Sequence, residues 1–276
     1  MKKTKPGKIG LLIILFAFAA FQIYPLVWMF FFSLKSNAEN FYTNVAGIPI
    51  VWRWENYKNV LIDGGLITYF INSLIYTVIT LFVSGILSSM TAYAIARLKW
   101  KLSNFVYTLF ILGIMIPIQA ALLPLFIVLD KIHLLDSYWA LLIPYIAFAI
   151  PMSILILTSF YKSIPMELEE AAFIDGCSIY KTFFKIILPI VKPAIATVSI
   201  FTFLGTWNEL IFANTFVNSS KYRTLTVGIM SLNGQHATDW GLIGAGMVIA
   251  TLPTLIIYII LNRQVQESLV AGAVKG

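Results

Sequence analysis

Acidic residues are scarce in this chain, 12 among 276, and several crowd into one short stretch. Glu167, Glu169 and Glu170 stand just before Ala171 and Ala172, with Asp175 and Gly176 following. A carboxylate beside small side chains is equipped for docking rather than bond-making. The alanines let a helix backbone settle into a groove, and Glu170 can pair with a basic residue there. Glu209 stands elsewhere, inside a long apolar stretch where an ionised group is costly and points to function. At about 1.5 Å per residue it lies about 24 Å along a helix starting at Pro193. Both a place on a path through the membrane and a structural bond, with Asn208 or with a partner subunit, stay open for it. Asn72, Gln119, Trp207 and Asn208 are further path candidates, with packing the competing reading for the aromatic. His133 and His236 stand apart, Cys177 is the single cysteine, and no G-x-x-x-x-G-K-[ST] or H-E-x-x-H occurs. Metal, disulfide, hydrolytic and ATP chemistry are therefore not expected of this chain itself.

The elements that must position these residues are membrane helices. The chain is 59% hydrophobic and 11% charged, with mean hydropathy +0.87, against roughly 25% charged in soluble domains. Apolar stretches run over Ile9 to Leu34, Leu66 to Ala96, Ser103 to Leu129, Tyr138 to Tyr161, Pro193 to Val217 and Gly241 to Leu261. Each exceeds the roughly 20 residues needed to cross the hydrocarbon layer. Lipid leaves no partner for free backbone groups, so the expected fold is all-α with six transmembrane helices. The first stretch, preceded by Lys2, Lys3, Lys5 and Lys8, has the outline of a signal peptide. It runs too long for one and is read as a retained helix.

The net charge of +7 is spread over short connections rather than gathered into a stripe, which argues against nucleic acid. With the N-terminus inside, 13 of the 19 lysines and arginines fall in inner segments and 6 in outer ones. The positive-inside rule then puts both termini in the cytoplasm. The expected organisation is an N-terminal helix and outer loop over 1–66, a five-helix core over 67–262 with a cytoplasmic loop at 162–192, and a tail over 263–276. Pro25, Pro117, Pro124, Pro144, Pro151 and Pro253 are candidate kinks. Gly241, Gly244, Ala245 and Gly246 suit close helix contact.

The 162–192 loop has its own helix grammar. Ser163 is the expected N-cap, Pro165 sits in a tolerant first turn, and the glutamates favour the positive end of the helix dipole. A short helix should run through about Ala172, stop at a left-handed Gly176, restart at Ser178 and end at Pro189. Its acidic first half argues against a connector resting on anionic lipid.

The stretch Glu170 to Pro189 resembles the signature of binding-protein-dependent importer permeases: Glu-Ala-Ala, three residues, Gly176, nine residues, then Ile186-x-Leu188-Pro189. Asn72-Ser73-Leu74, Thr206 to Glu209, Thr224 to Gly228, Thr238 to Gly241 and Ala271 to Gly276 are similar to the carbohydrate branch, of the maltose-type second permease. This resemblance implies the type I ABC importer permease fold in a bacterial or archaeal inner membrane. It also implies a second, different permease, two cytoplasmic ATPases that bind the ATP and magnesium, and an external solute-binding protein. Glu170, Ala171, Ala172, Asp175, Gly176 and Lys275 would couple to the ATPase; Asn233, Gly234 and Gln235 would meet the binding protein. A sugar or oligosaccharide is the implied cargo. Glycerol phosphate or a polyol is the alternative, and a stand-alone secondary transporter is disfavoured by the lack of an inverted repeat.

Overall fold

The computed structural model describes residues 6–233 and 238–273, with side chains over 8–233 and 238–261. Lys275, Gly234, Gln235 and His236 lie outside the described residues. Helices α1 (Pro6–Ser33), α2 (Glu55–Ile62), α3 (Leu66–Arg97), α4 (Ser103–Ile114), α5 (Ile118–Lys131) and α6 (Tyr138–Lys162) are followed by the short α7 (Glu167–Ile174), α8 (Ile179–Thr182) and α9 (Leu188–Ile190). Then come α10 (Lys192–Trp207), α11 (Ile211–Phe216), α12 (Leu225–Ser231) and α13 (Trp240–Ala273), and no strand occurs among the described residues. Five helical segments can cross a membrane on length and apolarity: Lys8–Ser33, Leu66–Arg97, Tyr138–Lys162, Lys192–Phe216 and Trp240–Leu261.

The sixth expected span is not one straight helix. Between α4 and α5 the chain turns by 100°. Pro117 lacks an N–H and disfavours helical backbone in the residue before it, and its own backbone is extended at φ −70°, ψ 140°. The other candidate prolines lie inside unbroken helices.

The chain forms two compact units, Met1–Ile67 with Gly228–Leu252, and Thr68–Val227 with Pro253–Gly276. Within the first, the start of α13 lies close against the end of α1. A Cβ at Gly244 would fall 2.8 Å from the Phe32 ring and 2.9 Å from Ser33 Cα, so only glycine permits the approach. Asn37 donates to Thr238 O (2.7 Å) and accepts from the Trp240 N–H (2.9 Å), while Thr238 hydrogen-bonds the Asn233 amide oxygen at 2.6 Å.

In the second unit α6 packs on both α4 and α10, and buried clusters gather at its two ends. Toward the start of α6, Tyr76, Leu141, Tyr145, Phe212 and Phe216 pack together. Toward its end, Ala92, Tyr93, Leu157, Tyr161, Phe183 and Ile187 do the same. Each cluster holds one buried carboxylate in place.

Candidate functional site

The loop after α6 folds as a helix-turn-helix, with differences at its two ends. Ser163 does not cap α7. Its hydroxyl turns back to donate to Phe160 O at 2.8 Å, closing the last turn of α6. Four linker residues intervene, and α7 begins only at Glu167, without a side-chain cap. Glu167, Glu169 and Glu170 sit in its first turn as the helix dipole favours.

The stop at Gly176 is built as its residue type requires. Gly176 has φ +77°, its N–H reaches Phe173 O at 3.0 Å, and the Cys177 N–H reaches Ala172 O at 2.9 Å. This is a Schellman closure, which needs a left-handed residue at that point. Ser178 then caps α8, accepting from the Lys181 N–H. Pro189 does not end the helical path. A π-helical turn over Phe183–Ile187 carries the chain into α9, where Pro189 occupies a first-turn position that tolerates its lack of an N–H.

The two faces of α7 differ sharply. Ala172 and Glu169 are each 3% exposed, while Ile174 is 86% exposed. Glu170, Ala171, Asp175 and Gly176 are also exposed, together with Leu168 and Phe173. Ala172 therefore packs against its own chain, and the outward face is acidic and apolar at once.

On the inward face lies a residue that the sequence offered only as a count of positive charge. Arg97, the last residue of α3, donates from Nε to Glu169 Oε1 at 3.0 Å. Its Nη1 reaches Ile164 O (2.7 Å) and Tyr161 O (3.3 Å), and its Nη2 reaches Pro165 O (3.1 Å). A buried guanidinium is tolerated only when its donors are satisfied in this way. The Tyr161 carbonyl belongs to the last turn of α6, and those of Ile164 and Pro165 belong to the linker, so the guanidinium spans both.

Glu209 sits near the start of α6 in space. Its carboxylate accepts from the Phe212 N–H (2.8 Å), the Ala213 N–H (3.1 Å) and the Tyr145 hydroxyl (2.7 Å). It closes the first turn of α11, and Tyr145 rather than Asn208 is its side-chain partner. No cation pairs with it among the described residues. Asn208 turns to its own helix, donating to Leu204 O at 3.0 Å.

Glu209 also borders a cavity of about 310 Å³ lined by Tyr145, Met152, Ser153, Phe201, Thr202, Gly205 and Thr206, among others. The remaining path candidates scatter. Gln119 is exposed just after the α4–α5 bend, beside the cavity-lining Ile118. Trp207 is 2% exposed, stacked on Phe203 at 5.5 Å and edge-on to Phe70 at 5.6 Å. Asn72 is buried, donating to Lys221 O and Arg223 O and accepting from the Tyr138 hydroxyl. It fastens a loop. Thr202, Thr206 and Ser153 were missed because isolated hydroxyls inside apolar helices ordinarily bond their own backbone.

A protein-family model described as "Binding-protein-dependent transport system inner membrane component" matches residues 84–268. The chain is 34% identical over 275 residues to a probable ABC transporter permease protein of Bacillus subtilis, covering 100% of this chain and 91% of that one. It is 33% identical to a trehalose/maltose transport system permease protein of Thermococcus litoralis, covering 100% of each. Among solved structures, a chain from a bacterial ABC transporter involved in the import of the acidic polysaccharide alginate superposes with TM-score 0.82. That match covers 95% of this chain and 99% of that one at 22% identity, a likeness of fold.

Proposed function

The chain belongs to the binding-protein-dependent transport system inner membrane component family, and from that premise we propose that it is the permease subunit of an ATP-driven importer of a sugar or oligosaccharide. It works as a multi-pass membrane subunit rather than as an enzyme. The observation that carries the reading is the loop: the outward face of α7 presents Glu170, Ala171, Asp175 and Ile174, while Glu169 and Ala172 on the other face are anchored to the chain's own helices. A helix exposed on one side and bolted on the other is suited to receive force from a partner.

That partner is a pair of ATPase subunits that hold ATP and magnesium, docked on the cytoplasmic side, with Lys275 in the tail as a further contact. The positive-inside distribution supports placing both termini there. A second, different permease completes the path and an external solute-binding protein delivers cargo, with Asn233, Gly234 and Gln235 as its contact. In the division into residues 1–66, 67–262 and 263–276, the middle segment holds the docking loop and the binding-protein contact, and the last holds Lys275. On the permease side the path runs by the cavity at Glu209, Thr202, Thr206 and Ser153, with Gln119 near it and Asn72, Trp207 and Asn208 holding its surroundings. Sugar cargo is supported by the Thermococcus litoralis relative, whose name is that of a trehalose/maltose transport system.

The test is uptake by proteoliposomes holding the complete importer. Labelled maltose-class oligosaccharide should accumulate only with internal ATP, and glycerol phosphate should not compete. Gly205 lines the cavity, and a Cβ added there would meet nothing within 4 Å. Gly205→Ala should therefore be accommodated without loss of thermal stability, while Gly205→Leu, which reaches further into the cavity, should lower uptake about tenfold. Accumulation of glycerol phosphate instead of oligosaccharide would replace the cargo assignment.

A further inference from the structure

We propose that Arg97 is the positioning residue that makes α3 follow α7, so that movement of the docking helix reaches the membrane spans as one body. The inference rests on reading α7 as the ATPase-docking element. Two backbone connections hold α7: a four-residue linker after α6, and the Gly176 turn into α8. Both are short non-helical joints around which a helix of 8 residues can pivot.

One guanidinium removes that freedom. Its Nε holds the first turn of α7 through Glu169, its Nη1 holds the end of α6 through Tyr161 O and the linker through Ile164 O, and its Nη2 holds the linker again through Pro165 O. Arg97 is at the same time the last residue of α3. Three helices and a joint are thus pinned at one planar group, which no point-charge side chain can reproduce. Its surroundings stiffen the arrangement: Tyr161 hydrogen-bonds Ser89 of α3 at 2.6 Å, and Tyr93 packs edge-on against Tyr161 and tilted against Phe183. Without Arg97, α6 would still be tied to α7 through the chain, but α3 would lose its ion pair with α7.

The test uses the whole importer in nanodiscs, with Cys177→Ser and spin labels at exposed Glu167→Cys on α7 and Lys99→Cys just beyond α3. Distances are recorded without nucleotide and with ATP plus vanadate. The unsubstituted Arg97 complex should give one narrow distance in both states. Arg97→Lys keeps a positive charge opposite Glu169 and so keeps the fold, but loses the fork to three carbonyls. On adding ATP and vanadate, its ratio of molecules holding the native distance to those that do not should fall about tenfold, while ATP hydrolysis, assayed separately without vanadate, continues. Arg97→Met should do the same or more. A merely structural role would lower folded yield but leave the distance narrow in the molecules that fold. A distance as narrow in Arg97→Lys as in the parent, with the ATPase bound and nucleotide present, would overturn the proposal. Failure of the ATPase to co-purify with the parent chain would instead sink the docking reading, and the proposal with it.

Discussion

Glu169 and Glu209 are both buried at opposite ends of α6, marked by Tyr161 and Tyr145, an interval of about 24 Å along the helix. Glu169 is neutralised by a guanidinium that also binds three carbonyls. Glu209 meets two backbone N–H groups and a phenol, with no counter-ion among the described residues. The first arrangement joins helices through an ion pair within the chain. The second caps one short helix and leaves the carboxylate on the wall of a cavity. A buried acid therefore carries no single meaning: its partners decide whether it transmits force or shapes a wall.

The comparison can be broken most forcefully at Arg97. Arg97→Met strands the Glu169 charge and should cost about 3–5 kcal/mol, read as a loss of folded yield and a lower unfolding temperature in detergent. Adding Glu169→Gln should recover part of it. Glu209→Ala leaves two N–H groups and the Tyr145 hydroxyl without this acceptor and should cost about 3 kcal/mol by the same measurement. Because Glu209 has no counter-ion among the described residues, Glu209→Gln should cost far less than Arg97→Met. Equal losses from the two would erase the distinction between the sites.

Gly176→Val forces a β-branched residue into a left-handed conformation and should cost about 1–2 kcal/mol. Nothing lies within 4 Å of a side-chain carbon there, so the penalty is one of backbone alone and Gly176→Asn should relieve most of it. Tyr145→Phe, the mildest change, removes one of three hydrogen bonds to Glu209 and should lower stability by about 1 kcal/mol.

What was legible in the sequence was whatever a local pattern encodes. Hydropathy located the spans, Gly176 and Ser178 announced the turn and cap between α7 and α8, and the glycines at 241 and 244 marked a close helix approach. Ser163 misled because a hydroxyl can close the helix behind it as readily as open the one ahead. Pro117 marked a candidate kink, but the 100° size of the α4–α5 bend was hidden because apolar residues continue on both sides of it, and composition does not record direction. Arg97 stands 72 residues from Glu169, and Tyr145 stands 64 from Glu209. Nothing in the spacing of a single sequence pairs them. A lone arginine at the end of a membrane helix reads as topology until the fold brings three carbonyls and a carboxylate to it.

The central claim, that the outward face of α7 docks a partner ATPase while its inward face is bolted in place, meets its most direct test at Glu170. The chain carrying Glu170→Lys is co-expressed with its ATPase, purified by a tag on the permease, and compared with the parent for bound ATPase and unfolding temperature. Because Glu170 is exposed and bonds no other side chain in the described structure, stability should fall by no more than about 1 kcal/mol from the helix dipole, while the ATPase is lost from the purified complex. Retention of the ATPase at the parent's stoichiometry would contradict the account.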